Sequence, residues 1–475
     1  NMLALLHGHT PLCPAGHLPH TGGDRDAVRA LPHSKRHLTG RVSARRVCRI
    51  LLDRLACRAT LSPTAACETS VPYFTDSRPA DWGRTVATLP ISPRVGEMAG
   101  RPEGGAAPLS QSVYMPVSTA QPLDYVKRSK GRTMRALQLL DDRKLEITDI
   151  PEPEAPGPGE VTLRVKAVAL NHIDVWGWRG MAFAKRKMPL VIGAEASGVV
   201  DQIGPGVSSV LPGQLVSVYG ARTCGLCRPC KEGRDNLCEH VGGVHGFHLD
   251  GFAQEKINLP ARLLVPAPPG VDAVAAALAP VTFGTVEHML FDNAKLEPGE
   301  TILVHAGGSG IGSAAIQLAK KIGCTVITTV GSDDKIEKAK GLGADHVINY
   351  RTDRFEGVVR KLTKKKGVDV VFEHVGKDTF VASMFSLKRG GRLVTCGSTS
   401  GVSTDINLMM LFQQQLKLLG SFGCRMENMA NAMQKMARGI VHPVIDTEVT
   451  FDDIDRALER METRQVFGKI VLRMD

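Results

Sequence analysis

The sequence lacks the long apolar runs that mark a membrane span. No window of its 475 residues approaches the roughly 18–20 uninterrupted apolar residues of a transmembrane helix. It also lacks an internal repeat. A hydrophobic content of 43% and a mean hydropathy of −0.06 are typical of a globular protein, and the length allows two or three domains. We therefore expect no membrane partner.

Most of the chain carries a net charge close to zero. The formal charge is +11, but residues 1–133 hold 18 Lys and Arg against 9 Asp and Glu, which is a net of +9, and the remainder carries only +2. A nearly neutral globular part has no basic stripe of the kind that binds nucleic acid. We therefore expect no nucleic-acid partner.

Residues 1–133 differ in composition from the rest. They are rich in Arg, Pro, Ser, Thr and Gly and show no sustained period of 3.6 or 2. Three interpretations stay open: an organelle-targeting leader, a disordered tail, or a segment outside the natural protein. The last two are favoured, because this length and 9 acidic residues count against a leader, and because the "MRALQLL" that begins at Met134 looks like a start.

Cysteines are few after Met134, and four of the seven lie in "RTCGLCRPCKEGRDNLCEH". The spacing C-x2-C-x2-C-x7-C is typical of a tetrahedral zinc site. The other three are scattered in apolar surroundings, which favours a reducing, cytoplasmic location over a disulfide framework. The predicted zinc ligands are Cys224, Cys227, Cys230 and Cys238.

The secondary-structure pattern changes near residue 265. Before it, stretches such as "GEVTLRVKAVAL" predict strands separated by Gly-Pro turns, as in a small β-barrel-like domain. After it, short apolar strands alternate with helices, which predicts a doubly wound parallel sheet. The fold class expected is therefore α/β, with a second, β-rich domain.

A dinucleotide site is predicted by "TILVHAGGSGIGSAAIQLAKKIG". An apolar strand ends in a glycine-rich turn, and a helix follows whose N-terminus presents free N–H groups to a pyrophosphate. Ser309 occupies the place of the usual central glycine. The turn consists of Gly307, Gly308, Ser309, Gly310, Ile311 and Gly312.

The second strand, "CTVITTV", indicates which cofactor binds. An acidic residue at its end would bind the ribose hydroxyls of NAD, but Val330 and Gly331 stand there. Ser332 and Lys335 are residue types that bind a 2′-phosphate. The two aspartates in "GSDDK" would repel one, unless they serve instead to begin the next helix. The pattern predicts NADPH.

Together, these motifs resemble the medium-chain dehydrogenase/reductase family, and in particular its quinone oxidoreductase-like and zinc-binding alcohol dehydrogenase-like members. The resemblance covers Met134 to Asp475. It implies a GroES-like catalytic domain over 134–264, with a zinc lobe at 222–240, a Rossmann domain over 265–425, and a completing segment over 426–475. It also implies a homodimer or homotetramer. Finally, it places Tyr350 near the NADPH phosphate, and Gly397 and Ser398 beside the nicotinamide.

Zinc alcohol dehydrogenases of this family hold two zincs. The cysteine lobe matches the structural one, whose closed shell leaves no position for substrate. The resemblance puts the three ligands of the catalytic zinc at Asn171, Ala194 and approximately Val281, and these residue types do not replace them. We expect no catalytic zinc. An improvised site stays open, and its possible donors are His172, Asp174, Glu195, His245 and His288.

Without a catalytic metal, the resemblance implies a small-molecule substrate with an activated double bond: an enone, a quinone or an enoyl thioester. Asn171 and His172 are the expected hydrogen-bond donors at the substrate oxygen, with Asp174 orienting their loop, unless all three only fix that loop. The following aromatic residues form either an apolar wall or core, and "KRK" at 185–187 either meets an anionic substrate or is solvated. The expected apolar set, which includes one methionine, is Trp176, Trp178, Met181 and Phe183.

Two other functions stay open. A zinc-dependent alcohol dehydrogenase is favoured by the cysteine lobe and disfavoured by the missing ligands. A non-enzymatic NADPH-binding protein is the third hypothesis, to which the nearly neutral globular part gives little support.

Overall fold

The computed structural model describes residues 128–180 and 186–474. The interpretations of residues 1–127, and those of Met181, Phe183 and Lys185, lie outside the described residues. The first strand begins at Arg128, upstream of Met134. Within the described part of the chain, no helix is both long and apolar enough to cross a membrane.

Sixteen strands form three sheets in the described residues. They are β1 (Arg128–Asp141), β2 (Lys144–Pro153), β3 (Glu160–Ala169), β4 (Leu190–Val191), β5 (Ala196–Ile203), β6 (Leu215–Val218), β7 (Lys256–Pro260), β8 (Leu264–Pro266), β9 (Thr301–Val304), β10 (Thr325–Val330), β11 (His346–Asn349), β12 (Val368–Glu373), β13 (Leu387–Thr395), β14 (Lys417–Gly420), β15 (Ile445–Val449) and β16 (Lys469–Arg473).

Eleven α-helices connect these strands, again counting described residues only. Two π-helical turns, Ala279–Phe283 and His288–Asn293, flank the fourth. The helices are α1 (His172–Trp178), α2 (Arg228–Lys231), α3 (Ala273–Ala277), α4 (Gly284–Glu287), α5 (Gly310–Lys321), α6 (Ile336–Gly341), α7 (Phe355–Leu362), α8 (Lys377–Ser386), α9 (Leu408–Gln413), α10 (Met426–Ala437) and α11 (Ile454–Glu462).

The β-rich part contains a three-stranded sheet in the order β2-β1-β4 and a seven-stranded sheet in the order β15-β16-β3-β5-β6-β8, with β7 also paired to β3. Side chains such as Leu163, Phe252 and Leu259 are fully buried in its core. The last strand, β16, comes from the far end of the chain and runs antiparallel to β3. The C-terminal segment therefore returns to the seven-stranded sheet that contains β3.

The second part is a six-stranded parallel sheet in the order β11-β10-β9-β12-β13-β14. Its strands are short runs of Val, Ile and Thr with mostly buried side chains, which suits a sheet covered on both faces. The strand order reverses between β9 and β12, and ligands bind at such a switch point. The α/β fold class with a doubly wound sheet is confirmed, whereas the boundaries at 264 and 425 stay predictions.

Strand register brings three distant residues together. Val471 of β16 pairs with Ala169 of β3, and the antiparallel continuation places Lys469 opposite Asn171. On the other side of β3, the Ala169 amide donates to the carbonyl of Glu195 at 2.8 Å. The sheet therefore assembles a cluster whose members are up to 298 residues apart in sequence.

One edge of the parallel sheet carries exposed apolar side chains. β14 is the edge strand, and the preceding helix α9, "LMMLFQ", has no buried residue. Leu408, Met409 and Phe412 are each more than half exposed. Such an edge is a ready surface for pairing with another chain. The dimer or tetramer implied by the resemblance stays a prediction, and this face is where the described residues would accommodate it.

Candidate functional site

The four cysteines of the lobe converge as a tetrahedral metal site requires. Their sulfur atoms all lie within 4.8 Å of one another, and the Sγ atoms of Cys227 and Cys238 are 4.0 Å apart. Zinc–sulfur bonds of about 2.3 Å in a tetrahedron separate sulfurs by about 3.8 Å, so the set fits zinc. The backbone N–H groups of Leu226 and Cys227 donate to the Cys224 sulfur, which favours a thiolate there.

Outside this lobe, the described residues contain no other group of three or more His, Cys, Asp or Glu side chains placed to hold a metal ion. The donors considered for an improvised site are instead engaged elsewhere. His245 Nδ1 lies 2.7 Å from the carbonyl of Asp250, and His288 Nδ1 lies 2.7 Å from Asp292 Oδ2. The four cysteines therefore fit a zinc ion.

Asn171 stands at the N-cap of α1, and its amide is fully bonded within the protein. Nδ2 donates to Ala169 O and to Glu195 Oε2, both at 3.0 Å, and Oδ1 accepts from Lys469 Nζ at 2.7 Å. Its backbone N–H donates to Asp174 Oδ2 at 2.7 Å. No amide hydrogen is left for a substrate oxygen in this arrangement.

Glu195 is the centre of this cluster and is fully buried. Oε1 accepts the backbone N–H groups of Val281 and Thr282 at 2.8 and 2.6 Å. Oε2 accepts from Thr282 Oγ1 at 3.0 Å and from Lys469 Nζ at 3.1 Å, besides Asn171. A buried carboxylate needs such partners. Through this one carboxylate, Asn171 and the turn at Val281 and Thr282 are linked to the loop that carries Ala194.

Two titratable groups beside the cluster have shifted pKa values. Burial raises the pKa of Asp174 to about 6, against the lowering effect of the Asn171 and Gly193 amides and of Lys469. His172 is exposed to solvent. The surrounding protein first, and then the nearby His374 and Lys469, lower the pKa of its imidazole to about 4. His172 is therefore neutral at pH 7.

The residues after His172 divide between core and surface. Trp178 is buried in the core, with the Arg143 guanidinium 4.6 Å from its ring centroid. Trp176 is partly exposed and packs edge-on against the His172 ring. Arg186 of the "KRK" stretch donates to the Gly177 carbonyl at 2.7 Å, and its side chain is only 6% exposed. That arginine is thus a structural residue, not a free contact for an anion.

The glycine-rich turn at 307–312 has the strand–turn–helix geometry of a dinucleotide-binding site, here called the cradle. Ser309 is the N-cap of the 12-residue helix α5, and its hydroxyl oxygen accepts from the Gly312 N–H at 3.0 Å. A Cβ on Gly312 would collide with the carbonyl oxygen of Ala306, so only glycine allows this approach of helix and strand. A Cβ on Gly310 would collide with the Lys469 side chain. The Glu195 cluster and the turn are therefore in direct contact.

The far end of the cradle lies after β10. Tyr350 is next to Gly331, because a Cβ on that glycine would lie 2.7 Å from its hydroxyl oxygen. Ser332 begins the 3₁₀ turn Asp333–Lys335. Lys335 Nζ donates to the carbonyls of residues 464 and 466 at 2.9 and 3.0 Å, which ties it to the C-terminal segment. Gly331, Ser332 and Tyr350 are brought together as expected, whereas the Lys335 ammonium is already bonded.

Gly397 and Ser398 follow β13 and line an open cleft of about 1070 Å³. Gly397 approaches the backbone of His374, and Gly376 approaches Ser398, so the ends of β12 and β13 meet here. The zinc lobe contributes Asn236, whose Nδ2 donates to the Phe422 carbonyl at 3.0 Å. The cleft therefore joins the expected nicotinamide position to the lobe.

Sequence reasoning missed Lys469 and Thr282. Lys469 is a single cation at the start of the apolar strand "KIVLR", and its side chain is 6% exposed. A charged side chain in a buried strand usually has a partner of opposite charge, so the lysine in this strand could have indicated a buried acidic residue nearby. Thr282 had no such signal, because a threonine in an apolar helix is commonplace.

Two family models match the chain. One, described as alcohol dehydrogenase GroES-like domain, matches residues 157–269, and the other, described as zinc-binding dehydrogenase, matches residues 310–438. The chain is 30% identical over 336 residues to a 2-haloacrylate reductase of Burkholderia sp, covering 67% of this chain and 92% of that protein. It is 29% identical over 328 residues to an acryloyl-coenzyme A reductase of Metallosphaera sedula, covering 69% and 96%.

A solved structure agrees with this assignment. The crystal structure of an NAD-dependent alcohol dehydrogenase is 39% identical, has a TM-score of 0.68, and is matched over 72% of this chain and 99% of its own. The two matched regions correspond to the β-rich part and the parallel sheet described above. The chain belongs to the medium-chain dehydrogenase/reductase family of oxidoreductases.

Proposed function

We propose that the protein is an NADPH-dependent reductase of activated carbon–carbon double bonds that works without a catalytic zinc. The observation that carries this proposal is the Glu195 cluster. The resemblance puts the family's three catalytic-metal positions at Asn171, Ala194 and approximately Val281, and a buried carboxylate and the Lys469 ammonium cross-link the segments that carry them. An ammonium bonded there disfavours a divalent cation at the same place.

Simple alcohols need a Lewis acid, because zinc lowers the pKa of a bound hydroxyl or water by many units. Reduction of a double bond conjugated with a carbonyl does not, because a hydrogen-bond donor stabilises the developing enolate. The names of two relatives, 2-haloacrylate reductase and acryloyl-coenzyme A reductase, describe substrates of that kind. Zinc-dependent alcohol dehydrogenation is the second candidate, favoured by the alcohol dehydrogenase at 39% identity.

The residues present fit NADPH, and they have separate roles in the reaction. When bound, NADPH supplies a hydride to the β-carbon, and a proton from water adds at the α-carbon. We assign His172 as the donor to the carbonyl oxygen, because it begins α1 directly after Asn171 and its side chain is exposed rather than bonded into the Glu195 cluster. Asn171 and Asp174 are positioning residues that fix the start of α1.

The substrate class is tested with purified protein and NADPH, followed by loss of NADPH absorbance. We expect turnover with a short enone, a quinone or an enoyl thioester, and a kcat/KM at least about 100-fold lower for oxidation of simple alcohols with NADP+. Faster alcohol oxidation than reduction of every acceptor would contradict the proposal and favour the second candidate. NADPH binding without any turnover would favour the non-enzymatic hypothesis.

Metal analysis tests the zinc assignment. We expect about one zinc per chain, held by the closed cysteine shell. Cys238→Ser should release it and lower Tm, because the lobe loses its cross-link. Cys324→Ser is the control, since this buried cysteine lies outside the lobe and its loss should leave zinc content unchanged. Two tightly bound zincs per chain would refute the absence of a catalytic metal.

Cofactor preference is tested at Ser332. Wild-type protein should have a higher kcat/KM with NADPH than with NADH. Ser332→Asp places a carboxylate where the 2′-phosphate is expected, so it should lower kcat/KM for NADPH by about 10- to 100-fold and that for NADH much less. Ser332→Ala is the matched control without the charge. Equal losses with both cofactors would show a structural effect, and a wild-type preference for NADH would overturn the assignment.

The buried Lys469–Glu195 pair is tested by urea unfolding. Lys469→Met leaves the Glu195 carboxylate without its cation and should cost about 3–5 kcal/mol of unfolding free energy. Lys256→Met removes a surface cation 3.5 Å from Glu152 and should cost less than about 1 kcal/mol. The loss of unfolding free energy in the double variant Glu195→Gln/Lys469→Met should be smaller, by at least about 1 kcal/mol, than the sum of the losses in the two single variants. Strict additivity would mean that the pair is not coupled.

A further inference from the structure

Ala306 lies directly before the cradle and has an unusual backbone conformation. Its φ of +48° is in the left-handed region, which residues with a Cβ rarely adopt. Its carbonyl oxygen accepts from the Ser309 N–H at 2.8 Å and lies so close to Gly312 that a Cβ there would collide with it. The Ala306 backbone therefore closes the turn, and a residue in a strained conformation needs neighbours that hold it there.

A side chain of the neighbouring strand holds the N–H of Ala306. This N–H donates to Thr329 Oγ1 of β10 at 3.1 Å, and the same hydroxyl lies 3.1 Å from His305 Nδ1. His305 Nε2 lies 2.8 Å from Ser383 Oγ of α8, which in turn donates to Glu373 Oε2 at 2.8 Å. These five residues form a continuous hydrogen-bonded path to the end of β12, here called the Glu373 chain.

The order of donors along the Glu373 chain fixes the state of His305. The carboxylate only accepts, so Ser383 uses its one hydroxyl hydrogen there and must accept from His305 Nε2. Thr329 receives the Ala306 N–H and has its own hydrogen left for Nδ1. His305 is therefore neutral, with its hydrogen on Nε2, and burial acts in the same direction because it lowers the pKa of the ring.

The Glu373 chain is sealed from solvent. Thr329, His305, Ser383 and Glu373 are each at most 1% exposed, and the His305 ring packs edge-on against Phe355 with centroids 4.8 Å apart. A buried network whose members are bonded to one another stabilises a single arrangement of its surroundings. A ligand cannot reach these side chains, so the chain can act on one only through the backbone that it holds.

The other end of the Glu373 chain lies at the second half of the cofactor site. Glu373 Oε1 accepts the N–H groups of Val375 and Gly376 at 2.7 and 3.1 Å. A Cβ on Gly376 would lie 2.9 Å from the Cα of Ser398, which is expected beside the nicotinamide. One buried carboxylate therefore connects the cradle to the loop that follows β13.

We propose that the Glu373 chain positions the cradle for the pyrophosphate of the dinucleotide. His305 and Thr329 are its positioning residues, and they act through the Ala306 backbone. The inference rests on the proposed function only for the presence of a nicotinamide dinucleotide, and it uses none of the acceptor substrates. The apparent Kd of a ligand rises as the binding-competent fraction of the protein falls, so breaking the chain weakens cofactor binding from a distance.

Thr329→Val tests the Glu373 chain, because it removes the hydroxyl with little change of shape. NADPH binding to the purified protein is followed by cofactor fluorescence. We expect Kd to rise about tenfold, as for a turn that is competent in about one molecule in ten. Thr329→Ser keeps the hydroxyl and should stay within about twofold of wild type. An unchanged Kd in Thr329→Val would overturn the proposal.

Thr162→Val is the matched control. Thr162 is buried in β3 of the seven-stranded sheet, and its hydroxyl donates to Asn258 Oδ1 at 2.7 Å. This variant also loses a buried threonine hydroxyl, so it should lower Tm to a similar extent but leave Kd for NADPH as in wild type. An equal rise of Kd here would mean that lost stability alone weakens binding, which would overturn the proposal.

Ser383→Ala interrupts the same chain at another link, and it carries the test by itself if Thr329→Val does not fold. It should also raise Kd about tenfold. The double variant Thr329→Val/Ser383→Ala should bind within about twofold of the weaker single variant, because a chain that is already broken has no further effect to lose. Effects that multiply to about 100-fold would mean that the two residues act independently, against the proposal.

Hydrogen–deuterium exchange of the cofactor-free protein observes the turn directly. The Ala306 amide should exchange at least about tenfold faster in Thr329→Val and in Ser383→Ala than in wild type, because its acceptor is removed or loosened. Exchange in Thr162→Val should equal that of wild type. Wild-type exchange rates in both chain variants would contradict the positioning role.

Parallel titrations with NADPH and NADH separate this inference from the proposed function. Both dinucleotides contain the pyrophosphate that the cradle receives, so Kd should rise by the same factor with each, and a loss confined to one would overturn the inference. Lost affinity in the variants of a protein that reduces no acceptor supports the chain and overturns the reductase. Acceptor turnover by wild type, with unchanged Kd in both variants, overturns the chain and leaves the reductase standing.

Discussion

The buried carboxylate of Glu195 determines how three segments of this protein pack together. Glu195 has no solvent to hydrogen-bond with, so every lone pair must find a donor within the protein. It finds them on the loop before α1, on the π-helical turn Ala279–Phe283, and on the last strand. Leaving this charge unpaired would cost several kcal/mol, and this fixes the three segments relative to one another.

That constraint extends to the cofactor site. Lys469 stabilises Glu195 with its ammonium, and its aliphatic stem packs on Gly310 at the start of α5. The same lysine therefore joins the β-rich part to the helix N-terminus that receives a pyrophosphate.

Besides holding its four cysteines together, the cysteine lobe contacts the segment that follows β14. Asn236 reaches from the lobe to the Phe422 carbonyl, and the Gly233 carbonyl accepts from Arg425. Four sulfur ligands therefore hold one wall of the cleft against the parallel sheet. The lobe therefore shapes the cleft, because lobe residues such as Leu237 line it directly.

The sequence by itself determined the local chemistry. The cysteine spacing, the glycine-rich turn and the alternation of short apolar strands with helices specified the lobe, the cradle and the α/β fold, because each depends on residues near one another in the chain. The sequence also predicted that Asn171, Ala194 and approximately Val281, the positions where the resemblance puts catalytic-zinc ligands, do not bind zinc. Only the tertiary structure decided how those positions were filled. Lys469 meets Asn171 across 298 residues through the register of β16 on β3, and no local pattern encodes that pairing.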